Sequence, residues 1–320
     1  MKASALRIGS RGSDLALWQA RWVESEIRRI APDCRISLEI IRTKGDRVLD
    51  SPLSAIGGRG LFTREIEEAL LDGRIDCAVH SLKDLPTELP EGLALGAVCA
   101  REDVRDVFIP HPRNEVRTLL EQKQGALIAT GSLRRRSQIL ARRPDLRITD
   151  IRGNLNTRMT KLRDSDWAGM VLAFAGVSRL GWEESIGEIV PLEVILPAVG
   201  QGAIAVEIRT GDRAAASVLA GINDGGTASA VGAERALLRV LEGGCQVPIG
   251  AFARAGSGPE RDVLRMDAMV ASLDGSKVVR GKTHGPASAA EDIGRALAET
   301  LLAGGAGAIL GDIRSGAPAS

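Results

Sequence analysis

Residues 6–41 read LRIGSRGSDLALWQARWVESEIRRIAPDCRISLEII, and this opening decides the predicted fold class. Leu6–Gly9 has the pattern of a short strand, and Ile36–Ile41 has the pattern of a second one. Between them, apolar residues from Leu15 to Ile27 recur at the spacing of one helix face. A strand, a helix and a second strand in this order predict a parallel sheet, and hence an α/β fold.

The turn between the first strand and the helix contains Arg11 and Ser13. In open α/β sheets, ligands gather at the carboxyl ends of the strands. The free backbone N–H groups at the start of a helix favour anions there. The turn is therefore a candidate anion site, although many such turns bind nothing.

Composition limits the domain count and the class of partner. A chain of 320 residues exceeds what one hydrophobic core usually serves, so two or three domains are expected. Its net charge of +1 gives no general attraction to nucleic acid or membranes. Aromatic residues make up only 2% of the chain, which argues against stacking on single-stranded nucleic acid.

The amino terminus and the cysteines predict a cytoplasmic protein. The first residues lack the apolar core of a signal peptide, and no apolar run is expected to reach membrane-spanning length. The cysteines at positions 34, 77, 99 and 245 do not have metal-ligand spacing, so no metal is predicted. Cys77 and Cys99 lie in apolar runs and are predicted to be core residues, with reduced thiols.

A second candidate site follows the predicted strand Ile75–Val79. The chain continues as His80-Ser81-Leu82-Lys83-Asp84, which places a lysine and a carboxylate after a strand's carboxyl end. That position suits chemistry on a ligand, but a solvated Lys–Asp surface pair is about as well supported by the spacing. Upstream, Gly45–Gly60 contains four glycines and Pro52 and predicts a long mobile loop.

A second α/β unit, predicted to begin near Arg105, contains a concentration of basic residues. Between Thr130 and Arg163 there are ten Arg and Lys residues against Asp145 and Asp150, a local charge of +8. Such a run is often a solvated face. Arginines at strand-to-helix turns, by contrast, are placed to hold carboxylates or phosphates in pairs of hydrogen bonds. The following segment, 171–180, is predicted to place Arg179 at a strand end.

The carboxyl-terminal third has a different pattern. After the Gly/Pro-rich crossover Leu196–Gly202, the apolar strand Ala203–Ile208 is expected to return to the first sheet. Beyond it, the sequence predicts a helix and a small antiparallel sheet with a hairpin turn at Asp274-Gly275. Ser288 and Glu291 have the spacing of a capping box that opens a terminal helix. The predicted elements are the helix 227–241 and strands near Gly250–Ala255, Leu264–Ser272 and Lys277–Thr283.

The decapeptide Leu241–Gly250, LEGGCQVPIG, contains the fourth cysteine. Gly243-Gly244 stops the preceding helix, because glycine adopts the left-handed conformation that helix ends often require. Cys245 therefore follows on a tight turn, where a thiol can point outward. A small apolar residue at a helix–strand junction is the alternative interpretation.

Seven stretches, in one order along the chain, resemble the porphobilinogen deaminase family. The family condenses four porphobilinogen units into linear hydroxymethylbilane and releases ammonia at each step. This reaction belongs to tetrapyrrole (haem) biosynthesis. The growing chain is attached through a dipyrromethane cofactor, which is joined to the protein by a thioether. The matching stretches are Arg11–Ala20, Gly57–Phe62, Ala78–Pro86, Gly131–Arg135, Arg152–Arg158, Leu196–Gly202 and Leu241–Gly250.

The resemblance implies a role for each matching residue. Cys245 is the attachment thiol for dipyrromethane, and Asp84 is the catalytic carboxylate that stabilises the azafulvenium formed when ammonia leaves. The implied cofactor-binding residues are Lys83, Asp84, Ser13, Thr130, Ser132, Arg134, Arg135 and Arg158. The implied substrate-binding residues are Arg11, Arg152, Arg179, Phe62 and Gln201. Where some family members have loop lysines, this chain has Ala55 and Arg59, so a binding role for residue 55 is in doubt.

The same resemblance implies the domain organisation. Two hinged α/β domains, similar to periplasmic binding proteins, comprise residues 1–102 with 200–222 and residues 103–199. A smaller α+β domain, 223–320, contains the cofactor cysteine. The protein is expected to be a monomer that passes its product to the next enzyme of the pathway, with no nucleic-acid or membrane partner.

Two other functions remain open on the residues alone. A non-catalytic ligand-binding module would have a secretory signal and no attached prosthetic group. A nucleic-acid-binding protein would use the basic residues between Arg134 and Arg163 and would show salt-dependent binding. Composition argues against the second, and the missing signal pattern argues against the first.

Overall fold

The structure is a computed structural model that describes residues 5–43, 45, 63–241, 247–256 and 258–315. The chain forms two compact units. Unit 1 comprises Met1–Glu102 and Gly202–Ala228, and unit 2 comprises Asp103–Gln201 and Ser229–Ser320. The predicted loop Gly45–Gly60 beyond Gly45, together with Phe62 and Cys245, lies outside the described residues, as do Ala55 and Arg59 within that loop.

The helices and strands alternate along most of the chain. In chain order they are β1 (Ala5–Ser10), α1 (Asp14–Ile30), β2 (Arg35–Ile40), α2 (Arg64–Leu71), β3 (Cys77–Ser81), β4 (Leu93–Val98), β5 (Asp106–Pro110), β6 (Leu127–Ala129), α3 (Leu133–Arg142), β7 (Arg147–Thr149), α4 (Leu155–Arg163), β8 (Gly169–Ala173), α5 (Phe174–Arg179), β9 (Glu188–Ile189), β10 (Ile204–Arg209), α6 (Arg213–Leu219), α7 (Gly225–Val240), β11 (Ile249–Ala255), β12 (Val263–Ala271), β13 (Val278–Pro286), α8 (Ala290–Leu301) and α9 (Gly307–Arg314).

Unit 1 is built on a mixed sheet whose described strands follow the order β2-β1-β3-β10-β4. β1 is parallel to both β2 and β3, which confirms the β-α-β opening. β10 is antiparallel to β3 and β4, so the strand after the crossover does return to the first sheet. Helix α1 forms because its apolar positions share one face: Ala20, Val23 and Ile27 are fully buried against this sheet.

Residues 103–201 of unit 2 form a second mixed sheet, with the described order β7-β6-β8-β5-β9. β6 is parallel to β7 and β8, and β5 is antiparallel to β8 and β9. Two hydrophobic clusters, one including Leu172 and Met170 and the other Phe108 and Val171, contain alternate side chains of its central strands. This is the second predicted α/β sheet.

The remainder of unit 2 contains an antiparallel three-stranded sheet in the order β11-β12-β13. Helices α7 and α8 contribute Leu237 and Leu297 to the core beneath it. Gly275, with φ of 74°, lies in the turn between β12 and β13, as the Asp274-Gly275 pattern predicted. The fold class is therefore confirmed: two α/β sheets and a carboxyl-terminal α+β sheet.

Three local predictions were wrong. Residues 174–179 form helix α5 directly after β8, so Arg179 lies in the last turn of a helix and not at a strand end. The capping box at Ser288 is not formed, because a 3₁₀ turn at Ala287–Ala289 precedes α8 and its N-cap is Ala289.

The third correction concerns membrane-spanning length. Ala287–Arg314 is long and apolar enough to cross a membrane by length and composition, contrary to the expectation. Its residues Ile293 and Leu297 are buried in the core of the carboxyl-terminal sheet. Gly305 interrupts it with a φ of 101°. These contacts are those of a helix that belongs to a packed domain.

Candidate active site

Two turns of unit 1 lie at the same edge of its sheet, because β1 and β3 are parallel neighbours. The turn after β1 contains Arg11, which is half-buried, and Ser13, the N-cap of α1. The Ser13 hydroxyl accepts a hydrogen bond from the Ala16 N–H at 3.4 Å. The same hydroxyl can still donate its own hydrogen to an acceptor such as a carboxylate.

The turn after β3 holds Lys83 and Asp84 in one 3₁₀ turn, Leu82–Asp84. Leu82 is buried, and its N–H donates to the carbonyl of Ala203 at 3.0 Å, which attaches the turn to the start of β10. Asp84 is exposed, and its carboxylate makes no hydrogen bond or ion pair with any described residue. The alternative surface pair between Lys83 and Asp84 is therefore not formed.

A cluster of titratable side chains lies within unit 1. His80 on β3 is 3.3 Å from Glu207 on β10, measured from Nε2 to Oε2, and both side chains are buried. Glu67 on α2 is also buried, and burial raises the pKa of its carboxyl, with the Glu207 carboxylate adding to that rise. His80 therefore belongs to the interior of unit 1.

In unit 2, Thr130 and Ser132 follow β6 and Arg152 follows its parallel neighbour β7. The Ser132 hydroxyl caps α3 by accepting from the Arg135 N–H at 3.4 Å, so its own hydrogen remains available. Gly131 allows the two turns to approach closely, because a Cβ there would lie 2.7 Å from the carbonyl oxygen of Ile151. Arg179, at the end of α5, follows β8 on the other side of β6.

Arg152 and Arg158 are half-buried at this edge. Arg152 donates through Nε to Asp150 at 2.8 Å, and Arg158 donates through Nε to the carbonyl of Gly153 at 2.9 Å. Each contact fixes one side of a guanidinium group that has five N–H donors. Both side chains are therefore oriented by the protein at the turns of this edge.

Arg134 and Arg135 occupy the first turn of α3 and are almost fully buried, with 4% and 5% of each residue exposed. Both bind the carboxylate of Asp106: Arg134 Nη1 is 2.7 Å from Oδ2, and Arg135 Nη2 is 2.8 Å from Oδ1. Gln201 Nε2 donates to the same Oδ1 at 2.9 Å. Burial alone would raise the pKa of Asp106, but the two guanidinium groups outweigh burial and hold that pKa well below its usual range.

Asp106 is the member of this arginine cluster that sequence reasoning missed. Its signal in the sequence was a single acidic residue at the head of the apolar strand Asp106–Pro110. A carboxylate that enters a core needs a cationic partner, because an unpaired buried charge is strongly unfavourable. The sequence cannot show which arginine is that partner.

The basic residues between Arg134 and Arg163 do not form one solvated face. Arg134 and Arg135 are buried, Arg143 pairs with Asp145 at 2.6 Å, and Arg152 pairs with Asp150. These contacts divide the cluster between the interior and the turns of the second sheet. Within the described residues, no group of three His, Cys, Asp or Glu side chains could hold a metal ion.

Three of the four cysteines are described, and all three are buried. Cys77 and Cys99 are fully enclosed in the core of unit 1, as predicted. Burial raises the pKa of the Cys77 thiol to about 12, and burial also raises the pKa of Cys34. A thiol that stays protonated and enclosed is a poor nucleophile.

Comparison with known proteins gives two family matches that together cover most of the chain. Residues 6–217 match the family described as "Porphobilinogen deaminase, dipyromethane cofactor binding domain". Residues 228–303 match "Porphobilinogen deaminase, C-terminal domain".

Individual relatives match over nearly their whole length. The chain is 48% identical to porphobilinogen deaminase of Desulforamulus reducens over 311 residues, which is 97% of this chain and 98% of the relative. It is 50% identical to porphobilinogen deaminase of Chlorobium phaeobacteroides over 313 residues, again 97% of this chain and 98% of the relative.

Among solved structures, the chain is similar to the periplasmic VFT2 domain of Bordetella pertussis BvgS. That similarity has a TM-score of 0.42 at 12% identity and covers 68% of this chain and 86% of the other. The L-cystine solute receptor of Neisseria gonorrhoeae matches with a TM-score of 0.39 at 12% identity, covering 68% of this chain and 85% of the receptor.

The two family matches follow one another along the sequence. The two relatives match over 97% of the same chain, at 48% and 50% identity. The chain therefore belongs to the porphobilinogen deaminase family.

Proposed function

We propose that this chain condenses four porphobilinogen molecules in steps on a dipyrromethane primer bound to Cys245, with Asp84 as the catalytic carboxylate. The activity of the family is porphobilinogen deaminase (hydroxymethylbilane synthase), an enzyme of tetrapyrrole biosynthesis that acts on porphobilinogen. The observation that supports the assignment of Asp84 is its geometry: an exposed carboxylate without a partner among the described residues, on a turn anchored at a strand end.

The residues present fit a dipyrromethane cofactor. Each pyrrole bears acetate and propionate side chains, so its binding site needs cations and hydroxyl donors. In unit 2, Arg134 and Arg135 share a single carboxylate, that of Asp106, so the buried trio has a net charge of +1. Within the described part of the chain, neither Nε of these arginines finds a hydrogen-bond acceptor. This excess of positive charge and of N–H donors suits a carboxylate group.

When bound, the dipyrromethane supplies the pyrrole carbon to which the first substrate molecule is joined. Asp84 accepts hydrogen bonds from pyrrole N–H groups and stabilises the positive charge that develops on the substrate as ammonia departs. Its exposure leaves the carboxylate accessible for that role. Lys83, Ser13, Thr130, Ser132, Arg134, Arg135 and Arg158 bind the carboxylates of the cofactor.

The attachment thiol is assigned to Cys245. The other three cysteines are buried in the described structure, and two of them have pKa values raised by that burial. Nucleophilic attachment requires a thiolate that can reach its partner. Enclosed thiols do not have those properties, which supports the residue that matches the attachment segment of the family.

The incoming substrate is assigned to Arg11, Arg152 and Arg179, with Phe62 and Gln201 as further contacts. Arg152 follows β7 and Arg179 follows β8, the two strands that flank β6 in the second sheet, which supports a shared role in binding carboxylates. Gln201 is buried and donates to Asp106 and to the carbonyl of Val104, which fixes its side chain beside the arginine cluster.

The organisation of the chain in solution completes the proposal. Three separate sheets, each with its own hydrophobic core, support domains at 1–102 with 200–222, at 103–199 and at 223–320. We infer a cytoplasmic monomer whose product passes to the next enzyme of tetrapyrrole synthesis. The family itself consists of soluble biosynthetic enzymes.

Native mass spectrometry of arginine variants tests the division between cofactor and substrate. Arg134→Leu should give protein that assembles its cofactor poorly, because losing one partner of a desolvated charge pair costs about 2–5 kcal/mol. Arg152→Leu should arrive with its cofactor and then stall with pyrroles added. If both variants arrive fully loaded and fail identically, the division is wrong and the basic residues act only as a collective field.

A further inference from the structure

Asp106 sits at the centre of the buried arginine cluster and belongs to none of the roles assigned above. It is fully buried at the start of β5, and all the described polar contacts of its carboxylate are with Arg134, Arg135 and Gln201. No water-exposed surface remains on it, so its carboxylate cannot contact a ligand. Its effect must pass through the two arginines.

The charge balance explains why this carboxylate is needed. The two guanidinium groups are adjacent in sequence and lie in the first turn of α3, where the positive end of the helix dipole disfavours further cations. Without an anion, this would place two buried positive charges at the least favourable end of a helix. Asp106 neutralises one of the two and leaves one.

The hydrogen bonds of Asp106 also fix the positions of both guanidinium groups. Each oxygen of Asp106 takes one arginine, at 2.7 Å for Arg134 and 2.8 Å for Arg135. A backbone carbonyl accepts a further hydrogen bond from each group: Arg134 Nη1 also donates to Leu196 at 2.6 Å, and Arg135 Nη1 donates to Val171 at 3.0 Å. Both guanidinium groups are therefore locked in place before any ligand arrives.

We propose that Asp106 is the positioning residue of the carboxylate site formed by Arg134 and Arg135, and that it limits the site to a single carboxylate. It does so by orienting both guanidinium groups and by leaving the cluster with one uncompensated positive charge. A preorganised site binds without first having to order its own side chains. This inference rests on the proposed function of the two arginines as cofactor-binding residues.

The test follows cofactor assembly directly and does not depend on turnover. Full-length variants are produced in cells that cannot make porphobilinogen, so that all begin as apoprotein. They are then incubated with porphobilinogen, and intact mass records the attached pyrroles over time. For Asp106→Asn we expect the rate of cofactor assembly to fall at least about tenfold, the factor that corresponds to about 1.4 kcal/mol. The amide is nearly the same shape as the carboxylate but lacks its charge.

Val107→Ala is the matched control for general destabilisation. Val107 is the next residue on β5, fully buried in the same sheet and apolar. Shortening it lowers stability through packing and leaves the arginine contacts in place. We expect this variant to assemble its cofactor at close to the wild-type rate, even where its melting temperature falls as far as that of Asp106→Asn.

Chemical rescue separates positioning from a structural role. In Asp106→Ala, refolding with formate should restore cofactor assembly, because formate replaces the missing carboxylate between the two arginines. Chloride at the same ionic strength should not restore it. Assembly by Asp106→Asn at the wild-type rate would overturn the proposal, as would equal impairment of Val107→Ala or absence of rescue by formate.

The design also separates this inference from the function on which it rests. If Arg134→Leu and Arg135→Leu assemble the cofactor normally, the cofactor role of the arginines is wrong. If those two variants fail while Asp106→Asn assembles normally, the arginines bind the cofactor and the role of Asp106 is wrong.

Discussion

The Asp84 carboxylate is exposed and makes no hydrogen bond or ion pair with another described side chain. The main-chain contact from Leu82 to Ala203 holds the turn, so the side chain needs no ion pair to fix its position. The paired carboxylates elsewhere, such as Asp106 and Asp76, have pKa values lowered by the arginines that they neutralise. Asp84, by contrast, has no arginine partner among the described residues.

Asp84→Asn should retain the cofactor and lose most turnover. The amide keeps the shape and some hydrogen bonding but cannot stabilise developing positive charge, so we expect a loss of about 10²–10⁴-fold in the rate. Steady-state kinetics measures the turnover, and the intact mass of the same sample shows whether the cofactor is attached. Asp72→Asn, which alters an exposed carboxylate of the same unit, is the control. Turnover within a few-fold of wild type would show that another group performs this step.

Glu67 gives the protein a pH-dependent stability term. Its carboxyl is buried beside Glu207 and His80, with Thr63 and Glu68 also facing it, and burial raises its folded pKa above the usual 4.5. A raised folded pKa means that the folded state binds the proton more tightly. The contribution to stability is therefore complete below pH 4.5 and is lost as pH rises through the folded pKa.

Glu67→Gln should remove this dependence, because the amide resembles the protonated carboxyl and does not titrate. We expect the melting temperature of the variant, relative to wild type, to rise as pH increases from about 5 to about 8. Thermal unfolding across that range provides the measurement. A difference that stays constant with pH would mean that Glu67 is ionised in the folded protein, and a difference that falls would reverse the sign of its pKa shift.

At the scale of elements, the hairpin between β12 and β13 contacts the helix that contains Arg134 and Arg135. Gly275 lies so close to α3 that an added Cβ would be 2.6 Å from the carbonyl oxygen of Ser137 and 2.8 Å from the carbonyl carbon of Leu140. Both neighbours are backbone atoms, which cannot turn aside. The carboxyl-terminal sheet and α3 are therefore packed together within unit 2.

Gly275→Ala should destabilise the protein more than a matched glycine substitution. Gly181 has φ of 70°, close to the 74° of Gly275, and a Cβ there would meet no described atom within 4 Å. Gly181→Ala reports the backbone strain alone, about 1–2 kcal/mol. Gly275→Ala should lose about 1–3 kcal/mol more from the clash. Denaturant unfolding of both variants measures the difference, and equal losses would show that the hairpin contact has no energetic weight.

The sequence predicted elements wherever local pattern determines structure. The β-α-β opening and the carboxyl-terminal hairpin follow from periodicity and from turn glycines, which are local properties. Helix α5 was missed because Phe174–Arg179 is too short for a helical period to show. The expected Ser288 cap was wrong because a 3₁₀ turn precedes the helix, a detail that residue spacing does not fix.

In the candidate site, too, local features were predicted and long-range contacts were not. Arg134 and Arg135 were predicted to follow a strand-to-helix turn, and that place is correct, whereas their binding role comes from the family resemblance and stays a prediction. Their burial and their shared partner were not predicted, because Asp106 is 28 residues from Arg134 in sequence. Contacts between residues that are far apart in sequence depend on tertiary packing, which a single sequence does not display.

At the scale of the whole molecule, a nearly neutral chain concentrates positive charge where carboxylates are to be bound. The net charge is +1, whereas the second sheet alone has a local excess of basic residues near its strand ends. Internal pairing with Asp106, Asp145 and Asp150 reduces that excess to a few oriented groups. Such an arrangement suits small polycarboxylate ligands more than an extended phosphate backbone, which requires a continuous basic surface.

The most direct test of the central claim is the intact mass of the purified full-length protein, with Cys245→Ser as its partner. We predict that the wild type exceeds its sequence mass of 33.8 kDa by the mass of two linked pyrroles, and gains further pyrroles on addition of porphobilinogen. Cys245→Ser should fold, match its sequence mass and gain none, because a hydroxyl is a far poorer nucleophile than a thiolate. A wild-type mass equal to that of the sequence after incubation with porphobilinogen, or a normal adduct on Cys245→Ser, would contradict the account.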